Sequence, residues 1–341
     1  MPHEAKLLII GSVALLLATG CERRIPEPTG TTQKATSGST PAPTSTSTST
    51  APIERLQETD TSYRHTAPGR IVAIGDLHGD LNATLRALHT AKVIDDKGKW
   101  IGGATVVVQT GDVLDRGHDE REILDLFDRL REEARKEGGA LHALLGNHEV
   151  MNVQGQFRYV TRGGFLTFED VSTSQRKQVE QYPPHERGRA MAFAPGGPYA
   201  MRLARQDTAV MINDTLFVHG GLLPEHLRYG VGQTNQEVKA WMRGERTHLP
   251  KIMARDDAPT WVRQYSSDKP GAEDCRTLES ALGLVGAKRM VVGHTPQKGG
   301  ITSACEGRVW RVDVGLASYY GSNPVQVLQI EGGEVRVLRE E

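Results

Sequence analysis

The chain has 341 residues, of which 38% are hydrophobic, 24% are charged and only 5% are aromatic. This length supports one large domain or two small ones. Its 41 lysines and arginines nearly balance 42 acidic residues, and the basic residues form no cluster. Because nucleic-acid binding normally requires a basic excess that neutralises phosphates, this balance argues against a nucleic-acid partner.

The first 62 residues are predicted to lie outside the folded domain. Residues 7–18 form an apolar or small stretch after Lys6, too short to span a bilayer but typical of a signal peptide. Ala-Thr-Gly then precedes Cys21, which resembles a bacterial lipoprotein box, in which the cysteine is lipidated. Residues 1–20 are therefore predicted to be a lipoprotein signal peptide. The alternative is a plain secretory signal with an incidental cysteine.

Residues 21–62 are predicted to be the anchor cysteine and a flexible linker. Residues 29–52 are almost entirely Thr, Ser, Pro, Ala and Gly, which cannot bury enough apolar surface to offset their ordering entropy. All aromatic residues lie at 63–341, so the domain is predicted there. These features predict a monomer on the periplasmic side of a bacterial cell envelope, attached by its lipid to a membrane, expected to be the outer membrane. No later apolar run is long enough for a transmembrane helix.

Short apolar runs alternate with helical patterns in the first half of the domain. The runs at residues 70–75, 105–111 and 141–146 each end in a glycine followed by polar residues. Apolar residues recur at helical spacing after the first two runs, at Leu81, Leu85, Leu88 and Ala91 and at Ile123, Leu124, Phe127 and Leu130. This alternation predicts a βαβαβ unit with a parallel sheet core.

The second half of the domain continues the strand pattern. Further apolar runs occupy residues 216–219, 290–294 and 309–314. Residues 325–330 and 334–338, separated by Glu-Gly-Gly, predict a closing hairpin. Residues 151–205 are irregular and are predicted to be an inserted helical segment on the substrate side.

Polar residues recur where the predicted strands end. Open α/β sheets bind ligands at these carboxyl ends. The positions are Asp76, His78, Asp112, Asn147, His148, His219 and His294. Each alone is more typical of a helix cap or an ordinary hydrogen-bonded histidine, but five strand ends repeat the pattern. Oxygen and imidazole ligands without sulfur suit Mn, Fe or Zn.

These residues are more than one ion needs, so two divalent metal ions are predicted. One ion would take Asp76, His78 and a share of Asp112. The second would take Asp112, Asn147, His219 and His294. A carboxylate shared by two ions about 3.5–4 Å apart is an arrangement that binds and ionises a water between them.

The ordered motifs resemble those of the calcineurin-like metallophosphoesterases. They are Gly75-Asp-Leu-His-Gly79, Gly111-Asp-Val-Leu-Asp-Arg-Gly117, Gly146-Asn-His-Glu149, Val218-His-Gly-Gly221 and Gly293-His294. The combination of Asp-Arg-Gly, Asn-His-Glu and His-Gly-Gly is similar to the phosphoprotein phosphatase branch. Residues 147–153, 157–160 and 259–263 look like the bacterial-type Shewanella-like protein phosphatases. The resemblance covers about residues 70–322 and implies an α/β fold, an α/β/β/α sandwich with a mixed two-sheet core.

The resemblance also implies a reaction. It is the hydrolysis of phosphomonoesters of tyrosine, serine or threonine in proteins by a hydroxide that bridges the two metals. His148 would be the general acid that protonates the leaving oxygen, and Asp115 would orient it as imidazolium. Arg116 would clamp the phosphate through its planar fork.

Further residues are predicted with alternatives. Arg263 is expected to be a second phosphate contact by similarity, with Arg158 and Arg162 as rivals. Tyr319 and Tyr320 are expected to pack in the core rather than line the pocket.

The cysteines Cys275 and Cys305 would form a disulfide in an oxidising compartment, contributing roughly 3–4 kcal/mol, or remain two separate thiols. Neither lies in a Cys-x5-Arg loop, which argues against a catalytic cysteine.

Two other functions stay open. A nucleotide or dinucleoside polyphosphate hydrolase shares the same motifs and would differ in its substrate profile. A non-enzymatic envelope lipoprotein would keep the fold, but such proteins usually lose a metal ligand or the phosphate-clamping arginine. Here all the predicted ligands and Arg116 are present, which favours catalysis.

Overall fold

The computed structural model describes residues 60–172, 177, 179–267 and 269–340. The predicted signal peptide at residues 1–20, the lipidation position Cys21 and the predicted linker up to residue 59 lie outside these described residues. Within the described part of the chain, no helix combines the length and apolar character that crossing a membrane requires.

The described residues form two β-sheets with helices around them. The strands are β1 (Arg64–His65), β2 (Ile71–Ile74), β3 (Val106–Gln109), β4 (Ala140–Ala143), β5 (Ala209–Ile212), β6 (Thr215–Val218), β7 (Arg289–Val292), β8 (Thr302–Ala304), β9 (Val309–Arg311), β10 (Gln326–Glu331) and β11 (Glu334–Arg339). The α-helices are α1 (Leu81–Thr90), α2 (Glu120–Lys136), α3 (Asn147–Val153), α4 (Arg162–Leu166), α5 (Arg187–Phe193), α6 (Pro198–Leu203), α7 (Pro224–Tyr229), α8 (Val231–Met242) and α9 (Ala272–Val285).

The first sheet contains the βαβαβ unit predicted from the sequence. Its strand order is β11-β10-β2-β3-β4, with β2, β3 and β4 parallel and β10 antiparallel to both of its neighbours. Every residue of β2 and β3 is buried, as expected for central strands covered on both faces. The predicted closing hairpin is β10 and β11 at the edge of this sheet.

The second sheet is mixed and has the order β1-β5-β6-β7-β9-β8. Its side chains alternate between two hydrophobic clusters, as the two-residue period of a strand requires. Phe217 and Val291 pack in the cluster that also contains the first sheet, whereas Val218 and Val292 pack in a cluster with α7 and α9. Helix, sheet, sheet and helix therefore form successive layers, and the predicted α/β/β/α architecture is confirmed.

Residues 151–205 lie between β4 and β5 in sequence, and besides the end of α3 the described part of this range contains α4, α5 and α6. Val179, Ala190 and Met191 form a small hydrophobic cluster there, against which Phe157 and Tyr182 pack. Helix α5 also contacts α3, which carries the Asn-His-Glu motif. The segment is thus packed against one of the loops that carry predicted site residues.

A disulfide joins Cys275 in α9 to Cys305 just after β8, with their Cα atoms 5.3 Å apart. The two cysteines are 30 residues apart in sequence. The bond ties the helix to the edge strand of the second sheet.

Candidate active site

The loops after five strands bring the predicted site residues together. Asp76 and His78 follow β2, Asp112 follows β3, Asn147 and His148 follow β4, His219 follows β6, and His294 follows β7. All of them are buried. Burying this many ionisable groups is unfavourable unless an opposite charge or a metal ion compensates them.

The backbone at these loop positions takes an uncommon conformation. Positive φ angles occur at His78 (45°), Asp112 (57°), Asp115 (68°), Arg116 (66°) and His294 (69°). Residues other than glycine rarely adopt this left-handed region, and such strain concentrates at functional sites. The surrounding structure must therefore hold these turns in place.

Glu149 is one of the groups that hold the turns. One carboxylate oxygen accepts hydrogen bonds from the N–H groups of Val113 (2.9 Å) and Leu114 (3.1 Å), and the other accepts from Asp112 (2.9 Å) and Gly146 (2.7 Å). Burial raises the pKa of Glu149, and the nearby Asp112 raises it further. The third residue of the Asn-His-Glu motif thus ties the turn after β3 to the turn after β4.

Glycines join the turns after β2 and β3. The carbonyl of Gly79 accepts hydrogen bonds from the N–H groups of His118 (3.1 Å) and Asp119 (2.9 Å). A Cβ atom at Gly117 would overlap the backbone of Gly79, so a larger residue would push the two turns apart. The glycine that ends the Asp-Arg-Gly motif is therefore required by this close approach.

Several electron-pair donors converge on Nε2 of His219. This atom lies 3.0 Å from Oδ1 of Asn147, 3.1 Å from Nδ1 of His294 and 3.2 Å from Oδ2 of Asp112. Donor atoms bound to one ion at about 2.1 Å lie about 3 Å from each other, so this spacing fits a shared cation. Nδ1 of His219 is 2.9 Å from the carbonyl of Thr110, a contact that leaves the lone pair of Nε2 facing the other donors.

A second group of donors lies on the other side of Asp112. Nε2 of His78 is 3.9 Å from Oδ2 of Asp112, the same oxygen that approaches His219. Nδ1 of His78 is 3.0 Å from the carbonyl of Leu114, which again directs Nε2 into the site. Both oxygens of Asp76 lie 3.2 Å from the N–H of His294. Asp112 therefore sits between the two groups, where a carboxylate shared by two cations would have to be.

The buried acids of this cluster repel one another. Burial raises the pKa of Asp76 well above its ordinary value, and Asp313 and Asp112 add to the shift. Burial also raises the pKa of Asp313 to about 6, and one of its oxygens has no hydrogen-bond partner among the described residues. Bound cations would relieve this repulsion, so the donor set fits divalent metal ions.

The histidines have the opposite response to burial. Burial lowers the pKa of His78 to about 3 and that of His294 to about 2. Both rings are therefore neutral near pH 7, as metal ligands must be. Burial alone would raise the pKa of Asp112, but His219 and His148 outweigh it and hold that pKa well below its ordinary value.

His148 differs from His78 and His219 in the partner of its Nδ1, which is a fully buried carboxylate rather than a backbone carbonyl. Its Nδ1 lies 2.6 Å from Oδ2 of Asp115, and its Nε2 lies 3.8 Å from Oδ2 of Asp112. Burial acts to lower the pKa of His148, but Asp112 and the hydrogen bond to Asp115 outweigh it and raise the pKa. A histidine whose protonated form is stabilised can donate a proton from Nε2.

Arg116 is held by three aromatic rings. Its guanidinium carbon lies 5.0 Å from the ring centroid of Tyr159, 4.9 Å from that of Tyr319 and 5.4 Å from that of Tyr320. Its Nε is buried and has no hydrogen-bond partner in the described part of the chain. Because stacking holds the group by its faces, the N–H edge stays open to an anion.

The expectation that Tyr319 and Tyr320 pack in the core is wrong. They belong to a surface 3₁₀ turn, Ser318–Tyr320, and Tyr319 is 60% exposed. The hydroxyl of Tyr320 lies 3.4 Å from Nε2 of His78, so this residue lines the site. The cation of Arg116 offers these rings a favourable contact outside the core.

Arg263 lies next to one of the predicted ligands. Its Nη1 donates hydrogen bonds to the carbonyl of His294 at 3.1 Å and to Oγ1 of Thr295 at 2.9 Å. The ring of Trp261 meets that of His294 edge to face, with centroids 5.6 Å apart. The Trp-Val-Arg segment is therefore placed at the edge of the donor cluster.

A cavity of about 690 Å³ opens beside this segment, with Arg263, Trp261 and Arg158 among its lining residues. Arg158, one of the two rivals of Arg263, stacks on Tyr159 with its guanidinium carbon 5.0 Å from the ring centroid. Arg162, the other rival, is the exposed first residue of α4. The cavity lies alongside the donor cluster and has the size of a small-molecule or side-chain pocket.

Two residues outside the predicted set support the site by holding Asp115. Asn152 donates a hydrogen bond from Nδ2 to Oδ1 of Asp115 at 2.9 Å, and Arg189 donates from Nη2 to the same oxygen at 3.1 Å. Asn152 follows His148 by one helical turn, a spacing that was readable from the sequence. Arg189 comes from the irregular segment, where no pattern signalled it.

Fold and site together define a phosphoesterase with a metal-binding centre at the strand ends. The chain matches the calcineurin-like phosphoesterase family model over residues 69–298 and belongs to that family. It is therefore a hydrolase of phosphoric ester bonds, and the family together with the buried His/Asp groups supports divalent metals as cofactors.

Individual proteins similar to this chain are named as phosphatases, which agrees with the family assignment. The chain is 37% identical over 298 residues to Shewanella-like protein phosphatase 2 of Arabidopsis thaliana, across 78% of this chain and 76% of that protein. It is 29% identical over 283 residues to Shewanella-like protein phosphatase 1 of Plasmodium berghei (strain Anka), across 80% of this chain and 74% of that protein. A solved cold-active protein tyrosine phosphatase superposes with a TM-score of 0.65 and 25% identity, covering 84% of this chain and 82% of that one.

Proposed function

We propose that this protein is a metal-dependent phosphoprotein phosphatase that hydrolyses phosphomonoesters of tyrosine, serine or threonine. The observation that carries the proposal is the donor cluster around Asp112, with Arg116 and the His148–Asp115 pair beside it. Support for a protein substrate comes from the relatives, which are named protein phosphatases.

Two divalent ions, drawn from Mn, Fe or Zn, would be held by Asp76, His78, Asp112, Asn147, His219 and His294. When bound, they would supply a nucleophilic water of lowered pKa and offset charge on the phosphoryl group. Manganese is the ion we would test first.

The other side chains bind the substrate and move the proton. The fork of Arg116 binds two phosphate oxygens, and Arg263 contacts the phosphate from the other edge of the cluster. His148 donates its Nε2 proton to the leaving oxygen of the alcohol or phenol. Asp115 accepts a hydrogen bond from Nδ1, which orients the ring and stabilises its protonated form.

The test is hydrolysis of matched phosphoserine, phosphothreonine and phosphotyrosine peptides by the full chain with each metal. We expect phosphate release from at least one peptide, and its near-complete loss in Asp112→Asn and His148→Asn. Full activity in either variant would contradict the assignment. Dinucleoside polyphosphates in the same assay address the alternative substrate class, and a preference for them by several orders of magnitude would favour a polyphosphate hydrolase.

We also propose that Cys21 is acylated and holds the domain on the periplasmic side of the envelope as a monomer. Support comes from the composition of residues 1–52 and from the Cys275–Cys305 disulfide, a bond that persists in oxidising compartments. Metabolic labelling of the full chain with a radioactive fatty acid in a bacterial host is the test. Cys21→Ala should lose the label and move to the soluble fraction, whereas an unlabelled native chain would refute the anchor.

A further inference from the structure

A buried arginine from the inserted segment reaches the partner of His148. Arg189 lies in α5 and is 0% exposed. Its Nε donates to Oδ1 of Asn152 (2.8 Å), its Nη1 to the carbonyl of Gly164 (2.9 Å) and to Oε2 of Glu120 (2.5 Å), and its Nη2 to Oε1 of Glu120 (2.8 Å) and Oδ1 of Asp115 (3.1 Å). A guanidinium has five N–H groups, so each one has an acceptor.

The rings around Arg189 fix its plane as well as its edge. Its guanidinium carbon lies 5.1 Å from the ring centroid of Phe168 and 5.0 Å from that of Phe193. Because two aromatic rings contact the guanidinium and each of its N–H groups has an acceptor, the side chain is held in one position. An arginine held in this way can in turn fix the groups that it contacts.

Asp115 is the group that connects Arg189 to the site. Its Oδ2 accepts from His148, while its Oδ1 accepts from both Asn152 and Arg189. The N–H of Asp115 donates to Oε1 of Glu120 at 2.6 Å, the same oxygen that accepts from Arg189. The carboxylate of Asp115 is therefore fixed at one oxygen by Arg189 and Asn152, which aims the other oxygen at the imidazole.

We propose that Arg189 is a positioning residue for the general acid, acting on His148 through Asp115. By fixing Asp115 it directs Nε2 of His148 at the leaving oxygen and keeps two buried carboxylates compensated by one cation. This inference rests on the proposed function, because it takes His148 to be the proton donor. Arg189 itself does not contact the donor cluster, and its removal should affect proton donation rather than phosphate binding.

The dependence of kcat on the leaving group distinguishes this role from a purely structural one, in which Arg189 would only anchor residues 151–205. Phenyl phosphate has a poor leaving group that needs the proton of His148, whereas 2,4-dinitrophenyl phosphate has a good leaving group that departs as an anion. Loss of general-acid catalysis costs about 10²–10⁴-fold, so it should reduce kcat for phenyl phosphate and leave dinitrophenyl phosphate within a few-fold of the native chain. The ratio of the two kcat values within one preparation is independent of the folded fraction.

Two variants of the full, metal-loaded chain carry the test. Arg189→Lys keeps the positive charge but cannot reproduce the planar fork. Arg189→Met combined with Glu120→Gln removes the ion pair as a unit, which avoids leaving Glu120 as an unpaired buried charge. We expect at least one variant to lower the phenyl to dinitrophenyl kcat ratio by about 10-fold or more, with KM nearly unchanged.

Two control variants distinguish loss of the positioning role from general damage to the segment and from loss of the proton donor. Arg121→Met removes another tie between α2 and the segment, the bonds of Arg121 to Thr167 (2.6 Å) and Asp170 (2.8 Å), without touching Asp115, and its kcat ratio should stay native. His148→Asn should lower the ratio most.

If His148→Asn is selective but neither Arg189 variant is, the positioning role is refuted and the proposed function stands. If His148→Asn is not selective, its role as proton donor fails, and the inference fails with it.

Discussion

Replacing Glu149 with glutamine should destabilise the protein through the turns that carry the site. Oε1 and Oε2 of Glu149 each accept two backbone N–H groups, all of them buried in the motif loops. Glutamine keeps one acceptor oxygen and places an NH₂ group against the other two N–H donors. Two hydrogen bonds to a charged group are lost, at about 1.5–3 kcal/mol each, so the free energy of unfolding should fall by about 3–6 kcal/mol.

The assay is urea denaturation of the full chain without metal, with unfolding monitored by tryptophan fluorescence. Stability should fall through a lower denaturation midpoint at unchanged slope. Glu133→Gln is the matched control, because Glu133 is shown accepting one backbone N–H, that of Trp100 at 2.8 Å, besides its surface pair with Arg129. A loss below about 1 kcal/mol in Glu149→Gln would refute the reasoning, since it would mean that the two N–H groups left facing the NH₂ group find other partners.

Three further outcomes follow from the same contacts. Tyr319→Ala removes one of the rings stacked on Arg116, a contact worth about 0.5–1 kcal/mol, so KM for a phosphopeptide should rise about two- to fivefold with kcat nearly unchanged; an unchanged KM in steady-state kinetics would contradict the stacking role. In the metal-free protein folding raises the pKa of His148, so protonated His148 stabilises the fold, and this contribution is fully present below pH 6.5, its ordinary pKa. The contribution is lost as pH rises through the higher folded pKa. Chemical denaturation at several pH values should show this slope in the native chain and not in His148→Asn. Thiol titration of denatured, unreduced protein should find neither Cys275 nor Cys305 free, and reduction should lower stability by roughly 3–4 kcal/mol; two free thiols there would exclude the disulfide.

The parts of the fold that could be predicted are those with a local signal. Runs such as residues 71–74 and 106–108 are apolar throughout because their strands are buried on both faces, and after each strand the chain reaches a glycine followed by an aspartate, Gly75-Asp76 and Gly111-Asp112. Since strands of a parallel sheet end at one edge, a ligand-type residue after each strand predicts a cluster. Asp76, Asp112 and Asn147 are brought together in this way at the first sheet, and His219 and His294 at the parallel pair β6 and β7 of the second. The approach of the two sets to each other depends on the packing of the two sheets.

The parts that could not be predicted depend on contacts between distant segments. Arg189 and Asp115 are 74 residues apart, and the irregular sequence around Arg189 carries no periodicity that would place it. The pairing of Cys275 with Cys305 stayed open because sequence does not state whether two Cα atoms approach. Tyr319 is predicted in the core because aromatic residues usually pack there, whereas the half-buried guanidinium of Arg116 offers it another partner.

Phosphate release from phosphopeptides before and after metal removal tests the central claim most directly. The full chain is stripped with a chelator, assayed on matched phosphoserine, phosphothreonine and phosphotyrosine peptides, and assayed again after Mn, Fe or Zn is restored. A metal-dependent phosphoprotein phosphatase should lose release on stripping and regain it with at least one metal, while Asp112→Asn regains none. Undiminished release by the stripped protein, or no release from any phosphopeptide with any metal, would contradict it.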